Sequence, residues 1–550
     1  MTLKIKGIAL LIAVMALLAA TALTVVGQEE TFTGVVFEDL NGNLTLDADE
    51  PGIEGVMVTN GIQVVLTNAE GVYELPVRDE MVVVVTKPNN YDVPYNENLV
   101  PQNYYIHQPN GSPDFIQTYA GIEPTGDLPE SVDFPLYATE VVNDFSFLVY
   151  GDTQVANQQE LGYMREVMAE LYDTGDEFAF GIAVGDLLDD PLDLYPQYLD
   201  VMSLTGSPTW YVPGNHDLNF DSTNDIYHLE TYKTFFGSPN YSFDFGQAHF
   251  ISLDNIRYQV DFPGTYNGRL TDDQLQWLEN DLALVPEDKL IVLSMHIGLT
   301  NFVDRDAVRH QDSTREQVYE IVSRFDNVIS LAGHSHTLER MLTGEEYTPE
   351  DPEAFGWGEI PFDQFVAGAV CGSWWGGELN TFGLPESYQR CGAPRGYMVF
   401  DISGNTYSER WKASGFAEDY GMHISFDVER NAARSTFVDL GLVSQDHLET
   451  LIVVANVFSG GENTVVEMSI DGGDPIPMVR DWNARDPFVI SRTGALGHGT
   501  RGDRGQSMHL YVADMPTDLE PGVHIIEITA TDPYGQVWTG LKTFDVWASN

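Results

Sequence analysis

The spacing of apolar and polar residues divides the chain into three regions. From Thr31 to about Tyr137, short β-branched runs such as GVMVTN and MVVVVTK are separated by Gly, Asn and Asp turns, which predicts a small immunoglobulin-like β-sandwich. From about Val142 to Gly415, apolar runs alternate with amphipathic helical stretches, and this pattern predicts a layered α/β fold. From Phe416 onward, runs such as TLIVVANVF and HIIEITATD predict a second β-sandwich.

The central region carries its polar motifs where its predicted strands end. Its strand candidates are FSFLVYG, FAFGIAVG, TWYVPG, HFISLDN, KLIVLSMH and NVISLAGH, and its helix candidates cover residues 158–172, 192–202, 272–284 and 313–325. Open α/β sheets bind ligands at the carboxyl ends of their strands. The polar motifs therefore predict a functional site at these strand ends.

The N-terminus has the pattern of a secretory signal. Lys4 and Lys6 precede a long apolar stretch, and polar residues follow Gly27. The alternative is a retained membrane anchor, because the stretch approaches the ~20 residues that span a bilayer. We expect a secreted, periplasmic or cell-surface protein. The expected segments are a signal peptide over 1–27, an N-terminal β-sandwich over 28–138, a central domain over 139–415 and a C-terminal β-sandwich over 416–550.

The composition argues against several kinds of partner. The chain has 84 acidic and 26 basic residues, and its net charge of −58 repels polyanions, so we expect no nucleic-acid partner. No stretch after the signal segment is long and apolar enough to span a membrane. The two cysteines, Cys371 and Cys391, permit one disulfide or two free thiols and are too few for a thiolate metal cluster. The oligomeric state stays open.

The stretch DLNGNLTLDADE in the first region has the spacing of a calcium loop. Oxygen-bearing side chains occupy positions 1, 3, 5, 9 and 12, as in an EF-hand, but Leu44 stands at position 6, where that loop wants Gly. The loop resembles the Ca²⁺-binding turns of bacterial surface β-domains, and the alternative is an acidic hairpin without metal. The candidate Ca²⁺ ligands are Asp39, Asn41, Asn43, Asp47 and Glu50.

The side chains at the predicted strand ends suit a pair of metal ions. They include carboxylates, carboxamides and imidazoles but no thiolates, and this set favours Mn²⁺, Fe or Zn²⁺. If one carboxylate bridges, the set would hold two ions about 3.5–4 Å apart, which clamp both oxygens of an in-line displacement at phosphorus. The residues, in chain order, are Asp152, Gln154, Asp186, Asn215, His216, Asp217, His296, His334 and His336.

The motifs GDTQ, GDLLD, GNHD, SMH and GHSH, in this order, resemble the calcineurin-like metallophosphoesterase superfamily. The segments YNGRLTDDQLQWLENDL, AGAVCGSWWGG and APRGYMVFDISGN are similar to bacterial secreted members, in which the catalytic domain lies between dedicated N- and C-terminal β-domains. The resemblance covers nearly the whole mature chain. It implies a calcineurin-like β-sandwich core with flanking helices, between two β-sandwich domains.

The resemblance also implies a role for each residue. His216 would protonate the leaving oxygen or stabilise charge there, and Asp217 would orient or polarise His216. A bridging water, acidified to hydroxide by the two metals, would be the nucleophile, without a covalent intermediate. The first metal would be held by Asp152, Gln154, Asp186 and His336, and the second by the bridging Asp186 with Asn215, His296 and His334.

Gln154 departs from the family pattern, which usually has His at this place. A neutral amide oxygen can replace an imidazole but donates less strongly, so the first metal should bind more weakly and be a stronger Lewis acid. Asp189 is a second departure, because purple acid phosphatases have their iron-binding Tyr at that position. A tyrosinate-bound ferric site is therefore not expected.

Substrate-contacting residues are expected after the GHSH motif. Trp374 and Trp375 would stack on a sugar, base or acyl chain, and Arg395 would pair with a phosphate oxygen. The alternative is that the tryptophans lie in the core and that Arg395 forms a surface salt bridge. His228, His249 and His310 fit no motif, which favours structural or exposed positions for them.

The sequence therefore predicts a secreted dinuclear-metal phosphoesterase that hydrolyses phosphate mono- or diesters. One alternative is a cell-surface binding protein that keeps a degenerate phosphoesterase domain as a scaffold; the intact metal-ligand set argues against it. The other is an extracellular nuclease, which the net charge of −58 disfavours.

Overall fold

The computed structural model describes residues 30–174, 177–259, 265–305, 308–347, 357–428, 441–490 and 505–548. The predicted signal peptide lies outside these residues. Within them, the search for a helix long and apolar enough to cross a membrane finds none.

The N-terminal region folds into two four-stranded sheets, with strand orders β4-β1-β8-β6 and β3-β2-β5-β7. Side chains alternate between buried and exposed along β1, so one face of its sheet meets the core while the other meets solvent, whereas four of the five residues of β5 in the second sheet are buried. The strands are β1 Thr31–Glu38, β2 Met57–Thr59, β3 Val64–Leu66, β4 Val72–Pro76, β5 Met81–Val85, β6 Tyr91–Asp92, β7 Tyr104–His107 and β8 Phe134–Ala138.

The candidate calcium loop lies between β1 and β2. Asp39 accepts hydrogen bonds from the backbone N–H groups of Asn41, Gly42 and Leu44. Leu44 has a positive φ of 63°, at the place where an EF-hand has Gly. The loop is thus a turn closed by its own acidic side chains, and calcium binding there stays a prediction.

The central region contains two sheets, ordered β11-β10-β9-β22-β23 and β12-β13-β16-β17-β21-β18, and two hairpins, β14-β15 and β19-β20. The sheets face each other through aromatic side chains. Phe147 of one sheet and Phe250 of the other lie 5.3 Å apart edge to face. The strands are β9 Asp144–Tyr150, β10 Gly181–Val184, β11 Thr209–Val212, β12 Tyr241–Phe245, β13 Ala248–Leu253, β14 Ile256–Gln259, β15 Thr265–Gly268, β16 Leu290–Met295, β17 Asn327–Ala332, β18 Leu338–Met341, β19 Glu346–Tyr347, β20 Gly358–Glu359, β21 Asp363–Ala367, β22 Gly396–Ser403 and β23 Thr406–Ala413.

Helices cover the outer faces of both sheets. Met164 on α1 belongs to the same buried cluster as Ala183 of the first sheet, and Leu278 on α4 packs in a cluster with Leu293 of the second. Thr271 caps α4 in a capping box with Gln274. The helices are α1 Gln158–Thr174, α2 Tyr195–Met202, α3 Glu230–Phe236, α4 Asp272–Leu282 and α5 Arg315–Val322.

The C-terminal region is a second β-sandwich, with sheets ordered β24-β26-β30-β29 and β25-β32-β31-β27-β28. Buried Arg340 joins it to the central region, since this guanidinium donates to both carboxylate oxygens of Glu409 at 2.6 Å and to the Phe458 carbonyl at 2.8 Å. The strands are β24 Met422–Val428, β25 Leu442–Ser444, β26 Leu451–Val457, β27 Val465–Ile470, β28 Ile476–Pro477, β29 Val479–Arg480, β30 Leu510–Asp514, β31 Gly522–Thr531 and β32 Val537–Trp547.

The fold expected from the sequence is confirmed: a layered central domain lies between two β-sandwiches. The short helix α3 was missed, because its seven residues are too few for a visible helical period. The helix predicted over 192–202 begins as a 3₁₀ turn, Leu192–Leu194, before α2 starts at Tyr195.

Candidate metal centre

Five parallel strands place the predicted metal ligands at one edge of the two sheets. In the first sheet, β10 is parallel to both β9 and β11, and in the second β16 is parallel to β17. Carboxyl ends of parallel strands meet at a common edge. The residues that follow these strands, in order, are Asp152, Gln154, Asp186, Asn215, His296, His334 and His336.

Four of these side chains meet in one group. Single ligand atoms of Asp186, His296 and His334 all lie within 4.8 Å of one another. His296 Nε2 is 3.2 Å from Asp186 Oδ1, 3.2 Å from Asn215 Oδ1 and 3.3 Å from His334 Nδ1. The structure thus brings together the residues expected to hold the second metal.

The first metal's expected ligands form a neighbouring group. His336 Nε2 lies 3.4 Å from Asp152 Oδ1, and both side chains are buried. The amide of Gln154 faces Asp186 Oδ2 through Nε2 at 3.4 Å. Rotating this amide by 180° would exchange Nε2 for Oε1, the atom that binds a cation.

Backbone carbonyls fix which nitrogen of two imidazoles faces the site. His296 Nδ1 lies 2.8 Å from the Val184 carbonyl, and His336 Nδ1 lies 2.9 Å from the Gly372 carbonyl. A carbonyl only accepts, so Nδ1 carries the proton in each ring. Nε2 of each ring therefore faces the carboxylates, which is the orientation of a metal-binding histidine, and a bound cation would take the place of a proton on this nitrogen.

The ligand backbone is strained. Left-handed conformations in residues other than glycine are uncommon and concentrate at functional sites. Gly185, with φ of 88°, is also required for space, because a Cβ there would lie 2.5 Å from His296 Nδ1. The residues with positive φ are Asp152 (34°), Gln154 (38°), Asp186 (48°), His334 (73°) and His336 (53°).

The donor set fits two divalent cations. Burial raises the pKa of Asp186, but His296 and His216 outweigh it and lower the pKa, so this carboxyl is ionised. Burial and His296 lower the pKa of His334 well below its usual range, so this imidazole is neutral. Carboxylate, carboxamide and imidazole donors converge without thiolates, which suits Mn²⁺, Fe or Zn²⁺.

His216 stands at the rim of the site, with 30% of its side chain exposed. Its Nδ1 lies 2.7 Å from Asp190 Oδ1 and 3.4 Å from Asp189 Oδ1. Burial lowers the pKa of His216, but Asp186 and Asp190 outweigh it and raise the pKa to about 9. The ring is therefore protonated at neutral pH, and Asp190, whose φ is 80°, holds it.

Asp217 does not contact His216, which corrects the expectation that it orients this ring. Its carboxylate accepts hydrogen bonds from Gly214 N at 2.8 Å, Leu187 N at 3.2 Å and the Tyr195 hydroxyl at 2.9 Å. Asp217 is fully buried and ties together the two loops that carry Asp186 and Asn215. The sequence misassigned the orienting role because adjacent side chains in GNHD point in different directions.

Comparison with known proteins agrees with this geometry. Family models match the chain for the N terminal of calcineurin-like phosphoesterase over residues 38–117, for calcineurin-like phosphoesterase over 145–338 and for the C terminal of calcineurin-like phosphoesterase over 364–538. The chain belongs to the calcineurin-like phosphoesterase family.

Relatives of this calcineurin-like phosphoesterase share its central part. The probable glycerophosphodiester phosphodiesterase GpdQ of Arcobacter nitrofigilis is 26% identical over 29% of this chain and 58% of that protein. The 3′,5′-cyclic adenosine monophosphate phosphodiesterase CpdA of Haemophilus influenzae is 30% identical over 31% of this chain and 59% of that protein. The chain thus spans less than two thirds of the length of these curated relatives. Among solved structures, purple acid phosphatase PPD1 from yellow lupin (Lupinus luteus) is 14% identical, with a TM-score of 0.35 over 61% of this chain and 70% of that one.

The expected substrate residues of this calcineurin-like phosphoesterase take different positions. The Trp374 ring stacks on His336, with centroids 4.1 Å apart. Trp375 is only 5% exposed and donates from Nε1 to the Thr153 carbonyl at 3.0 Å. Trp375 thus lies in the core and stabilises the loop in which Thr153 separates the ligands Asp152 and Gln154. Arg395 is also 5% exposed and donates to the Pro385 carbonyl. The burial of Arg395 favours the alternative of a structural role, and its phosphate contact stays a prediction.

Both cysteines are buried free thiols, which resolves the alternative that the sequence left open. Cys371 Sγ lies 3.6 Å from His336 Nδ1, and Cys391 Sγ accepts a hydrogen bond from Leu338 N at 3.4 Å. Burial raises the pKa of both thiols, so they are protonated and pack as small apolar groups.

Two residues beside the site escaped the sequence analysis or were left unassigned. His310 Nδ1 lies 2.5 Å from His334 Nε2, and Tyr266 lies edge-on to His334 with ring centroids 5.7 Å apart. His310 comes from a segment without a motif and reaches the site because the turn Val308–His310 packs against β15. Tyr266 lies on β15, in the segment YNGRL, to which the resemblance assigned no role. His228 and His249 are structural, as expected: each is buried against aspartates, His249 between Asp244 and Asp281.

Proposed function

We propose that this protein is an exported, metal-dependent phosphoesterase that hydrolyses phosphate mono- or diesters. The observation that carries the proposal is the convergence of the buried Asp186 and His296 with the half-buried His334, and the partly exposed His216 beside them. Two curated relatives are described as phosphodiesterases. Export is supported by the N-terminal sequence pattern alone.

The buried residues would bind the metals. When bound, two divalent ions activate water and stabilise negative charge at phosphorus. Asp186 lies between the two groups of ligands and is the residue placed to bridge them, because it is close to both Gln154 and His296. The carbonyl of Val184 keeps His296 in the tautomer that binds a cation.

His216 would act as the general acid. Its Nδ1 is held by Asp190, so Nε2 is the nitrogen left to carry a proton to the leaving oxygen. Its partial exposure places it where a substrate can reach, whereas the metal ligands beside it are buried, apart from the half-buried His334. Hydrolysis thus needs no covalent bond between enzyme and phosphorus.

Release of p-nitrophenol from p-nitrophenyl phosphate and bis-p-nitrophenyl phosphate with Mn²⁺ tests the proposal. Wild-type protein should hydrolyse at least one ester, and His216→Ala should lose most turnover, about 10²- to 10⁴-fold, while it keeps its metal. His447→Ala, which alters a histidine of the C-terminal region, is the matched control and should leave the rate unchanged. No turnover by wild type across Mn²⁺, Fe²⁺ and Zn²⁺ would instead favour a non-catalytic binding protein.

A further inference from the structure

Arg309 and His310 lie beside the metal-ligand candidate His334. The turn Val308–His310 packs against β15 and brings His310 Nδ1 to 2.5 Å from His334 Nε2. The two rings lie 4.8 Å apart at 32°. Arg309 donates from Nε to His310 Nε2 at 3.0 Å, so one edge of its guanidinium is held while the side chain is exposed to solvent.

An exposed arginine at this place is unusual for so acidic a chain, which has 26 basic and 84 acidic residues. The neighbouring Arg390 donates to both oxygens of Asp304, at 2.7 and 3.1 Å. Across the residues that the structure describes, Arg309 has no carboxylate within ion-pair distance: it donates to His310 Nε2, and its electrostatic interaction with Asp304 acts over a longer distance. Its Nη1 and Nη2 groups are thus available to an anion, which a guanidinium binds in bidentate geometry.

The position of Arg309 defines which part of a substrate it can reach. Two imidazole rings, those of His310 and His334, lie between its Nε and the cluster at Asp186. An anion bound by the guanidinium would therefore be separated from the cluster at Asp186 by these two rings, and would belong to a part of the substrate other than the scissile phosphate. Tyr266 lies edge-on to His334 and interacts electrostatically with Arg309, so the phenol and the guanidinium lie on the same side of the site.

We propose that Arg309, held in place by His310, binds a second anionic group of the substrate. The substrate class is then a phosphate ester whose organic part carries a further carboxylate or phosphate. This inference rests on the proposed phosphoesterase function and narrows it, because an ester without a second anion would leave Arg309 unused.

Matched substrates test the inference. Phenyl phosphate is compared with the three carboxyphenyl phosphates, and the corresponding methyl aryl diesters are included so that either ester class is covered. Wild type should prefer at least one carboxylated ester by about tenfold in kcat/KM, the worth of one charge-assisted hydrogen bond. Arg309→Met should abolish this preference through KM and leave phenyl phosphate turnover unchanged, and Arg309→Lys should restore part of it.

The outcomes separate the two proposals. Arg165→Met, which removes an exposed arginine on α1, is the matched control and should retain the preference. If wild type hydrolyses carboxylated and plain esters equally, or if Arg309→Met keeps the preference, the anion site is refuted and the phosphoesterase function stands. If wild type hydrolyses none of the esters, the proposed function fails and the anion site fails with it.

Discussion

Asp190→Asn is the substitution that tests how His216 is oriented. Asp190 Oδ1 lies 2.7 Å from His216 Nδ1, whereas the carboxylate of Asp217 is used by backbone N–H groups and a tyrosine. Asn keeps the shape of the side chain and tolerates the positive φ of 80° at this position, so the change removes charge and leaves the backbone in place.

The expected loss follows from this one contact. A hydrogen bond to a charged group contributes about 1.5–3 kcal/mol, and the side chain of Asp190 is 55% exposed, which favours the lower end. Since 1.4 kcal/mol corresponds to a factor of ten, kcat should fall about tenfold while KM stays unchanged. The loss should be larger for phenyl phosphate than for p-nitrophenyl phosphate, because a poorer leaving group depends more on the general acid.

Steady-state kinetics on both esters, with metal content measured on the same samples, provide the assay. Asp193→Asn removes an equal charge from an exposed aspartate on the adjacent 3₁₀ turn and should leave kcat within twofold of wild type. If Asp190→Asn also stays within twofold, or loses equally on both esters, Asp190 does not position the acid and our reasoning is refuted.

Three further predictions concern metal binding and stability. Asp186→Ala should lose bound metal by elemental analysis, and a variant that retains two ions would exclude the bridging role. Glu409→Gln should destabilise the fold by about 3–5 kcal/mol, because it leaves the buried Arg340 without its carboxylate partner, and an unchanged thermal midpoint would contradict this. Burial lowers the pKa of His249, but Asp281 outweighs it and raises the pKa to about 9, above the unfolded value of 6.5. The stability that His249 contributes is thus complete below pH 6.5 and is lost as the pH rises through 9; the gap in thermal midpoint between wild type and His249→Gln should narrow over that range, and a constant gap would refute the assignment.

The candidate site was largely predictable because its ligands follow apolar strands directly. An apolar run that ends at Gly and Asp indicates both a buried strand and the residue at its carboxyl end, as at Asp152 and Asp186. Parallel strands then bring these ends together without further information. Short β-branched runs between Gly, Asn and Asp turns likewise predicted the two flanking β-sandwiches, and β1 shows the alternating burial of such a strand.

Other parts of the site depend on tertiary packing and had no local signal. His310 reaches His334 only because its turn packs against a hairpin more than forty residues earlier in the chain. Trp and Arg are residue types that are common at binding surfaces, and only the fold shows that Trp375 and Arg395 are buried. For Asp190 a local signal existed, since the family motif GDLLD ends at Asp189 and a further aspartate follows it directly in this chain.

Titration of metal-stripped protein with Mn²⁺ is the most direct test of the central claim that this site is a dinuclear phosphoesterase centre. Phosphate-ester hydrolysis and bound metal are measured together on wild type and on His296→Ala, which lacks a ligand of the second group. We predict that stripped wild type is inactive, that activity reaches its plateau at two ions per chain, and that His296→Ala binds fewer ions and stays inactive. Activity that survives stripping, or a plateau at one ion per chain, would contradict the account.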